Sequence, residues 1–156
     1  MADTRQKVRV CLAASAGGHA SELVKLESSW AGCDCFFVTT SHVVERQLAK
    51  FGRVYVVNES NRKQPLRVLK ALASCLRILA VQKPDVVIST GASIGCLMAI
   101  FGRLSGAKVV WVDSIANAEQ LSLSGRIVRP FADLILTQWP DIAKRYKSVE
   151  YAGQII

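Results

Sequence analysis

The sequence predicts a doubly wound, Rossmann-like α/β domain built on a parallel sheet. Three observations carry that expectation. Strand-like and helix-like segments alternate along all 156 residues, and strands separated by helices pair in parallel through right-handed crossovers. The strand-like runs, such as Val10-Cys11-Leu12-Ala13-Ala14 and Val86-Val87-Ile88, are almost continuously apolar, as in sheets covered on both faces. Two of these runs end in small turns, Ser15-Ala16-Gly17-Gly18 and Ser89-Thr90-Gly91-Ala92-Ser93, each opening a helix. Ligands of such sheets bind beyond the carboxyl ends of the strands. The length suits one domain, 1–156, large enough to bury its own core, with a polar tail at 1–7.

Each element follows from local composition. Residues 8–14 read as the first strand, and 20–26 as the start of a helix after the Gly-Gly-His turn. A second strand is expected at 35–40, with Phe36-Phe37-Val38 as its core. Ser41 or His42 can cap the helix 43–50. A third strand at 53–57 leads into a polar loop, 58–64, that ends at Pro65. Residues 66–82 form a long helix stopped by Lys83-Pro84. Strand 86–89, helix 94–104 closing at Ser105-Gly106, and strand 108–113 follow. A polar loop from 114 to about 122 gives way to a short helix through Val128, then a strand at 134–137. Gln138-Trp139-Pro140 reads as a break, and the remainder as irregular apart from a short strand at 149–152.

Charge narrows the partners. The chain carries 20 Lys plus Arg against 12 Asp plus Glu, a net charge of +8. That balance favours an anionic partner, either a phosphorylated ligand or a membrane face. Nucleic acid is disfavoured, because the basic residues are scattered and no stacking-aromatic motif interleaves them. The five cysteines are odd in number and no secretory signal precedes them, which points to a reduced cytoplasm. Cys11, Cys75 and Cys96 read as small core residues. Cys33 and Cys35 lack the second pair a metal site needs, so no metal is expected. The polar start at 1–9 reads as neither signal peptide nor anchor. No uncharged apolar run reaches the ~18 residues needed to span a bilayer.

The ligand edge collects the chemistry. A Gly pair between strand and helix lets backbone approach a ligand, and the helix N–H groups offer an anion site. Two such helix starts suit a diphosphate. The alternative is a pair of ordinary β–α turns. His19 brings a titratable group to this edge, and Asp113 ends the strand beside it. Elsewhere, the helix 66–82 places Arg67, Lys70 and Ser74 on one face, with Arg77 three residues beyond, and the rest is nearly all apolar. It reads either as a helix resting in an anionic membrane surface or as a core helix with a small basic solvated face.

Ser15-Ala16-Gly17-Gly18-His19 with Glu22 resembles the first glycine-rich loop of a glycosyltransferase group that includes the peptidoglycan enzyme MurG. A later set of blocks is more specific: Lys83-Pro84-Asp85-Val86-Val87-Ile88-Ser89-Thr90-Gly91-Ala92, Trp111-Val112-Asp113-Ser114, Leu121-Ser122-Leu123-Ser124-Gly125-Arg126, Ala132-Asp133 and Gln138-Trp139-Pro140. These are similar to the acceptor-binding subunit of the eukaryotic two-part UDP-GlcNAc transferase of lipid-linked oligosaccharide assembly. They are more similar still to its bacterial, PssD-like counterparts in exopolysaccharide and capsule synthesis. The resemblance runs from about residue 8 to 156.

The resemblance implies the N-terminal half of a split GT-B enzyme, peripheral on the cytoplasmic face of the inner membrane. This half would bind a polyprenyl-pyrophosphate-linked acceptor, and a separate small subunit would bind the UDP-sugar, with no cofactor. The heteromer would transfer the sugar with inversion, and this chain alone would be inactive. His19 is the preferred base, with Asp113 the second candidate. Ser15, Gly17, Gly18, Gly91 and Ser93 would hold the pyrophosphate or acceptor sugar, and Asn117 and Glu119 would touch the sugar or the partner. Arg67, Lys70 and Arg77 would face the membrane, while 151–156 and the loop near Trp139 would meet the partner. Two departures stand out: the eukaryotic subunit's N-terminal anchor has no counterpart here, and Asp113 stands where the family commonly has Glu. Two other readings stay open, a non-catalytic scaffold that recruits its partner to the membrane, and a small nucleotide-binding domain. The missing dinucleotide fingerprint argues against the last.

Overall fold

The computed structural model describes residues 7–57 and 65–155. The expected loop at 58–64 and all but Lys7 of the expected tail lie outside the described residues. Strands β1 (Arg9–Ala13), β2 (Asp34–Thr39), β3 (Arg53–Val56), β4 (Val86–Ser89), β5 (Lys108–Val112), β6 (Leu134–Thr137) and β7 (Glu150–Tyr151) make one seven-stranded sheet in the order 3-2-1-4-5-6-7. Every neighbouring pair is parallel. The helices between them are α1 (Gly18–Lys25), α2 (Glu27–Trp30), α3 (His42–Leu48), α4 (Pro65–Gln82), α5 (Ala92–Leu104), α6 (Leu123–Val128) and α7 (Pro140–Arg145).

Side chains alternate across a strand, and in β1 both faces are apolar. Val10 and Leu12 pack with Leu23 of α1, Trp30 of α2 and Leu48 of α3. Cys11 and Ala13 belong to the opposite core, with Cys75 and Leu79 of α4 and Met98 and Ala99 of α5. The chain steps outward from β1 to β3, crosses back through α4 to β4, then steps outward the other way. With one crossover hand, the two runs place their helices on opposite faces. The order therefore reverses between β1 and β4, the point where doubly wound sheets open a crevice. Both α1 and α5 begin there.

The same geometry corrects one expectation. The helices α1 to α3 lie over the β1–β3 part of their face, while α5 to α7 share the other. Val110, Leu134 and Leu136, which point away from α5 to α7, are only partly buried. Among the described residues, coverage of that face is therefore complete over β1 but only partial over β5, where Val112 is still buried, and β6. Two helices were also absent from the sequence reading. Pro140 does not end order: it occupies the first turn of α7, where its missing N–H costs no hydrogen bond. The four-residue α2 is too short to show a period. It is held by Trp30, whose indole N–H donates to the Leu23 carbonyl at 3.3 Å and whose ring meets Phe37 and Phe51 edge-on. Helix α5 starts two residues earlier than expected, at Ala92. Ser41, not His42, caps α3, accepting from the Val43 N–H at 3.2 Å.

Cys11, Cys75 and Cys96 are buried core residues. Burial pushes all three thiols up, Cys75 to about 11. Asp133 ties β6 to β5, accepting from the Val109 N–H at 2.9 Å and from Arg103 and Lys108 at 3.1 Å. That N–H first, then the two cations, holds its carboxyl below the ordinary value.

Candidate functional site

A cavity of about 400 Å³ opens at the carboxyl edge of the sheet, over the β1–β4 switch point. Gly18 and His19 from α1, Gly91 and Ala92 from α5, Asp113, Ser114 and Asn117 after β5, and Ser122 and Ser124 at α6 line it. None of its described lining residues is Lys or Arg. A larger recess of about 850 Å³ lies at the opposite edge, among Lys7, Arg9, Asp34, Arg53, Lys83 and Asp85. Its charges are partly spent on each other, with Arg9 and Asp34 paired at 2.7 Å. The strands' amino ends face that recess, and the helix N-termini face the smaller one. The smaller cavity is the candidate site.

His19 is fixed there by a reciprocal contact between segments 71 residues apart. Its Nδ1 lies 3.0 Å from the Thr90 carbonyl oxygen, and the Thr90 hydroxyl donates back to the His19 carbonyl at 2.6 Å. A carbonyl only accepts, so Nδ1 carries a proton, and in the neutral tautomer Nε2 is the nitrogen with the lone pair. Two glycines make this approach possible. Gly17 precedes α1 at φ 82° and Gly91 precedes α5 at φ 139°. A Cβ on Gly91 would also sit 2.5 Å from the His19 ring.

Asp113 lines the cavity but its oxygens are engaged. Oδ1 accepts from the Trp111 indole N–H at 3.0 Å and from the Ser122 hydroxyl at 2.5 Å, and Oδ2 accepts from the Ser122 N–H at 2.9 Å. Trp111 is fully buried, so its N–H needs such an acceptor. Ser122 passes the connection on, accepting from the Gly125 N–H at 2.8 Å to cap α6. Behind His19, Glu22 is 6% exposed. Its Oε1 accepts from Ser114 Oγ at 3.1 Å, the Ile115 N–H at 3.0 Å and Gln138 Nε2 at 3.1 Å.

The structure thus brings Gly18, His19, Gly91, Asp113 and Asn117 around one cavity. Ser15, Gly17, Ser93 and Glu119 do not line it: Gly17 shapes the entry to α1, Ser93 sits exposed in the first turn of α5, and Glu119 is exposed with its carbonyl accepting from Arg145. Arg67, Lys70 and Arg77 are exposed on α4. Thr90, Ser122 and Gln138 carry contacts that their sequence positions did not assign. Ser122 could have been found as a helix cap three residues before Gly125. Among the described residues, no three His, Cys, Asp or Glu side chains converge as a metal set would.

Residues 37–155 match the family model described as "Oligosaccharide biosynthesis protein Alg14 like". The chain belongs to the Alg14-like family. A fission yeast (Schizosaccharomyces pombe) relative named UDP-N-acetylglucosamine transferase subunit alg14 is 32% identical over 118 residues, 70% of this chain and 56% of its own length. The mouse (Mus musculus) subunit ALG14 is 24% identical, over 97% of this chain and 85% of its own. The chain spans little more than half of several of these relatives, 56% of the S. pombe protein and 57% of the Yarrowia lipolytica one. Among solved structures, Acinetobacter baumannii MurG superposes with a TM-score of 0.72 at 19% identity, over 86% of this chain and 43% of its own. The UDP-N-acetylglucosamine 2-epimerase of Rickettsia bellii superposes at 0.71 with 15% identity, over 96% and 45%. These neighbours show the fold of this Alg14-like chain: the Rossmann-like N-terminal half of a GT-B architecture.

Proposed function

We propose that this Alg14-like chain is the acceptor-binding half of a split, inverting glycosyltransferase. In this reading the acceptor is a sugar on a polyprenyl pyrophosphate, and a partner subunit holds the UDP-sugar without a cofactor. The acceptor hydroxyl gives its proton to His19 Nε2 while its oxygen bonds the anomeric carbon. The bond from that carbon to the UDP oxygen breaks, and UDP leaves with the electron pair. The observation that carries the reading is His19 at the cavity mouth with Nδ1 committed to the Thr90 carbonyl. That contact leaves Nε2 as the acceptor a general base requires. The reaction class is supported by the name of the S. pombe relative, a UDP-N-acetylglucosamine transferase subunit.

Asp113 takes the supporting role, since both its oxygens are engaged in holding Trp111 and Ser122. With no Lys or Arg among the described lining residues, the pyrophosphate would rest on the N–H groups at the starts of α1 and α5. The acceptor sugar would lie toward Asn117. We place the chain on the cytoplasmic face of the inner membrane through α4, in exopolysaccharide or capsule assembly. The polysaccharide setting rests on the motif resemblance to the bacterial PssD-like subunits.

The test is transfer by the reconstituted pair. His19→Ala should lower turnover by a factor of roughly 10² or more, with partner binding and the melting temperature kept. Near-normal turnover would leave a scaffold that recruits its partner to the membrane as the better reading.

A further inference from the structure

We propose that Glu22 is a positioning residue for His19: a buried carboxylate that steadies the ring and balances the charge it gains during transfer. The proposal rests on the reading of His19 as the base. Glu22 lies one turn beyond His19 on α1, on the same face. Three donors meet its Oε1. Its Oε2 is equally buried yet has no hydrogen-bond partner among the described residues. A buried, unsatisfied carboxylate oxygen is costly and calls for an explanation. The nearest candidate is His19, whose Nδ1 lies 3.8 Å from that oxygen.

The distance is too long for a hydrogen bond but short for a charge pair away from bulk water. Before transfer the Nδ1–H points to Thr90, and Oε2 has little to hold. When Nε2 takes the acceptor proton, the ring becomes a cation beside this carboxylate. The interaction is then stronger in the transition state than in the ground state, the condition for raising kcat. Asp113 is the other charged group on the described cavity wall, and Trp111 and Ser122 occupy its oxygens. Glu22 is the carboxylate with an unpartnered oxygen beside the His19 ring.

Its wiring adds to the case. Through Ser114, Ile115 and Gln138, Oε1 is held by the segments after β5 and β6. Gln138 in turn accepts from the Ile155 N–H at 2.8 Å. The carboxylate cannot swing away from His19 without breaking bonds to two other segments.

The experiment is a double-mutant cycle in the reconstituted pair, using Glu22→Gln, His19→Ala and both together. Turnover is measured well below each variant's own melting temperature. Glu22→Gln keeps an oxygen for the three donors and removes the charge. We expect it to lower kcat by roughly tenfold to a hundredfold, the loss seen when a group orienting a functional histidine is removed, with KM little changed. The double variant should be no slower than His19→Ala, because Glu22 acts only through that ring. Two results overturn the proposal: full kcat in Glu22→Gln, or a double variant slower than His19→Ala by the whole Glu22→Gln factor. Should Glu22→Gln fail to fold, Glu22→Asp decides, since it keeps the charge but draws it back from the ring by one methylene. A fall in its kcat supports the role and an unchanged kcat overturns it. Full activity in His19→Ala is a separate outcome, which removes the base and this inference with it.

Discussion

Gly91 shows how closely the site depends on single positions. Its φ of 139° is one that side-chain-bearing residues rarely adopt, and a Cβ there would press 2.5 Å from the His19 ring. Gly91→Ala should therefore cost about 1–3 kcal/mol of backbone strain and also push His19 off the Thr90 carbonyl. Small misplacements of a reacting group cost up to about a hundredfold, so turnover should fall roughly tenfold or more. Thermal melting alongside transfer kinetics checks this. A variant that melts early but turns over normally well below its melting point would show that the ring has room to move. The glycines and His19 were legible in the sequence because a strand, a glycine turn and a helix start are all local. The partners of His19 and Glu22 were not, because Thr90 is 71 residues from His19 and Ser114 is 92 from Glu22. Asp113 was legible as a strand-end carboxylate. That Trp111 and Ser122 would occupy it needed the fold.

Helix α4 is apolar on two sides. Ala71, Cys75, Ile78 and Leu79 enter the core. Leu66, Leu69 and Leu76 stay outside, at 75%, 62% and 47% exposure, with Arg67, Lys70 and Arg77 exposed among them. A purely solvated basic face would not need that outer row of leucines, so the exposed side suits an anionic lipid surface. Each basic residue near such a surface contributes about 1 kcal/mol. Reversing two of them, Arg67→Glu with Lys70→Glu, should lower partition onto vesicles containing anionic lipid by roughly a hundredfold or more. Neutral vesicles should show little difference, and salt should mimic the mutations. Vesicle flotation that ignores both salt and the reversals would assign α4 the solvated role. The sequence made α4 visible through its length and the Lys83-Pro84 stop, but only the fold separates its buried leucines from its bare ones. The strands were legible through their apolar runs. Helices α2 and α7 were hidden, one by its four residues and the other by a proline that starts a helix as readily as it ends one.

The whole molecule supplies half of an architecture. Its fold superposes on 43% of MurG and 45% of the R. bellii epimerase, and in the proposed split enzyme the second half would come from outside the described domain. The carboxyl edge with His19 is open to solvent, and transfer from a UDP-sugar in an open cleft lacks both water exclusion and the donor half's electrostatics. The sheet itself offers a place for a neighbour. Val110, Leu134 and Leu136 are only partly covered, and Tyr151 on the edge strand β7 is 47% exposed. The terminal segment is also tied to the site, through Ile155 and Gln138 to Glu22. Removing everything after residue 148 would be a poor test of contact, because Val149 is buried and β7 pairs with Thr137. Tyr151→Glu is cleaner, since it charges the exposed edge while sparing the core. An exposed aromatic at a contact centre is often worth about 2 kcal/mol, so association should weaken roughly tenfold or more with melting unchanged. The companion measurement uses the chain by itself. Calorimetry should show no UDP-sugar binding, and transfer to a polyprenyl-pyrophosphate acceptor should begin only when a donor-binding subunit is added. Rate against added subunit should saturate, and Tyr151→Glu should move the midpoint without lowering the plateau. Steady turnover by the isolated chain would mean that these 156 residues contain a complete active site.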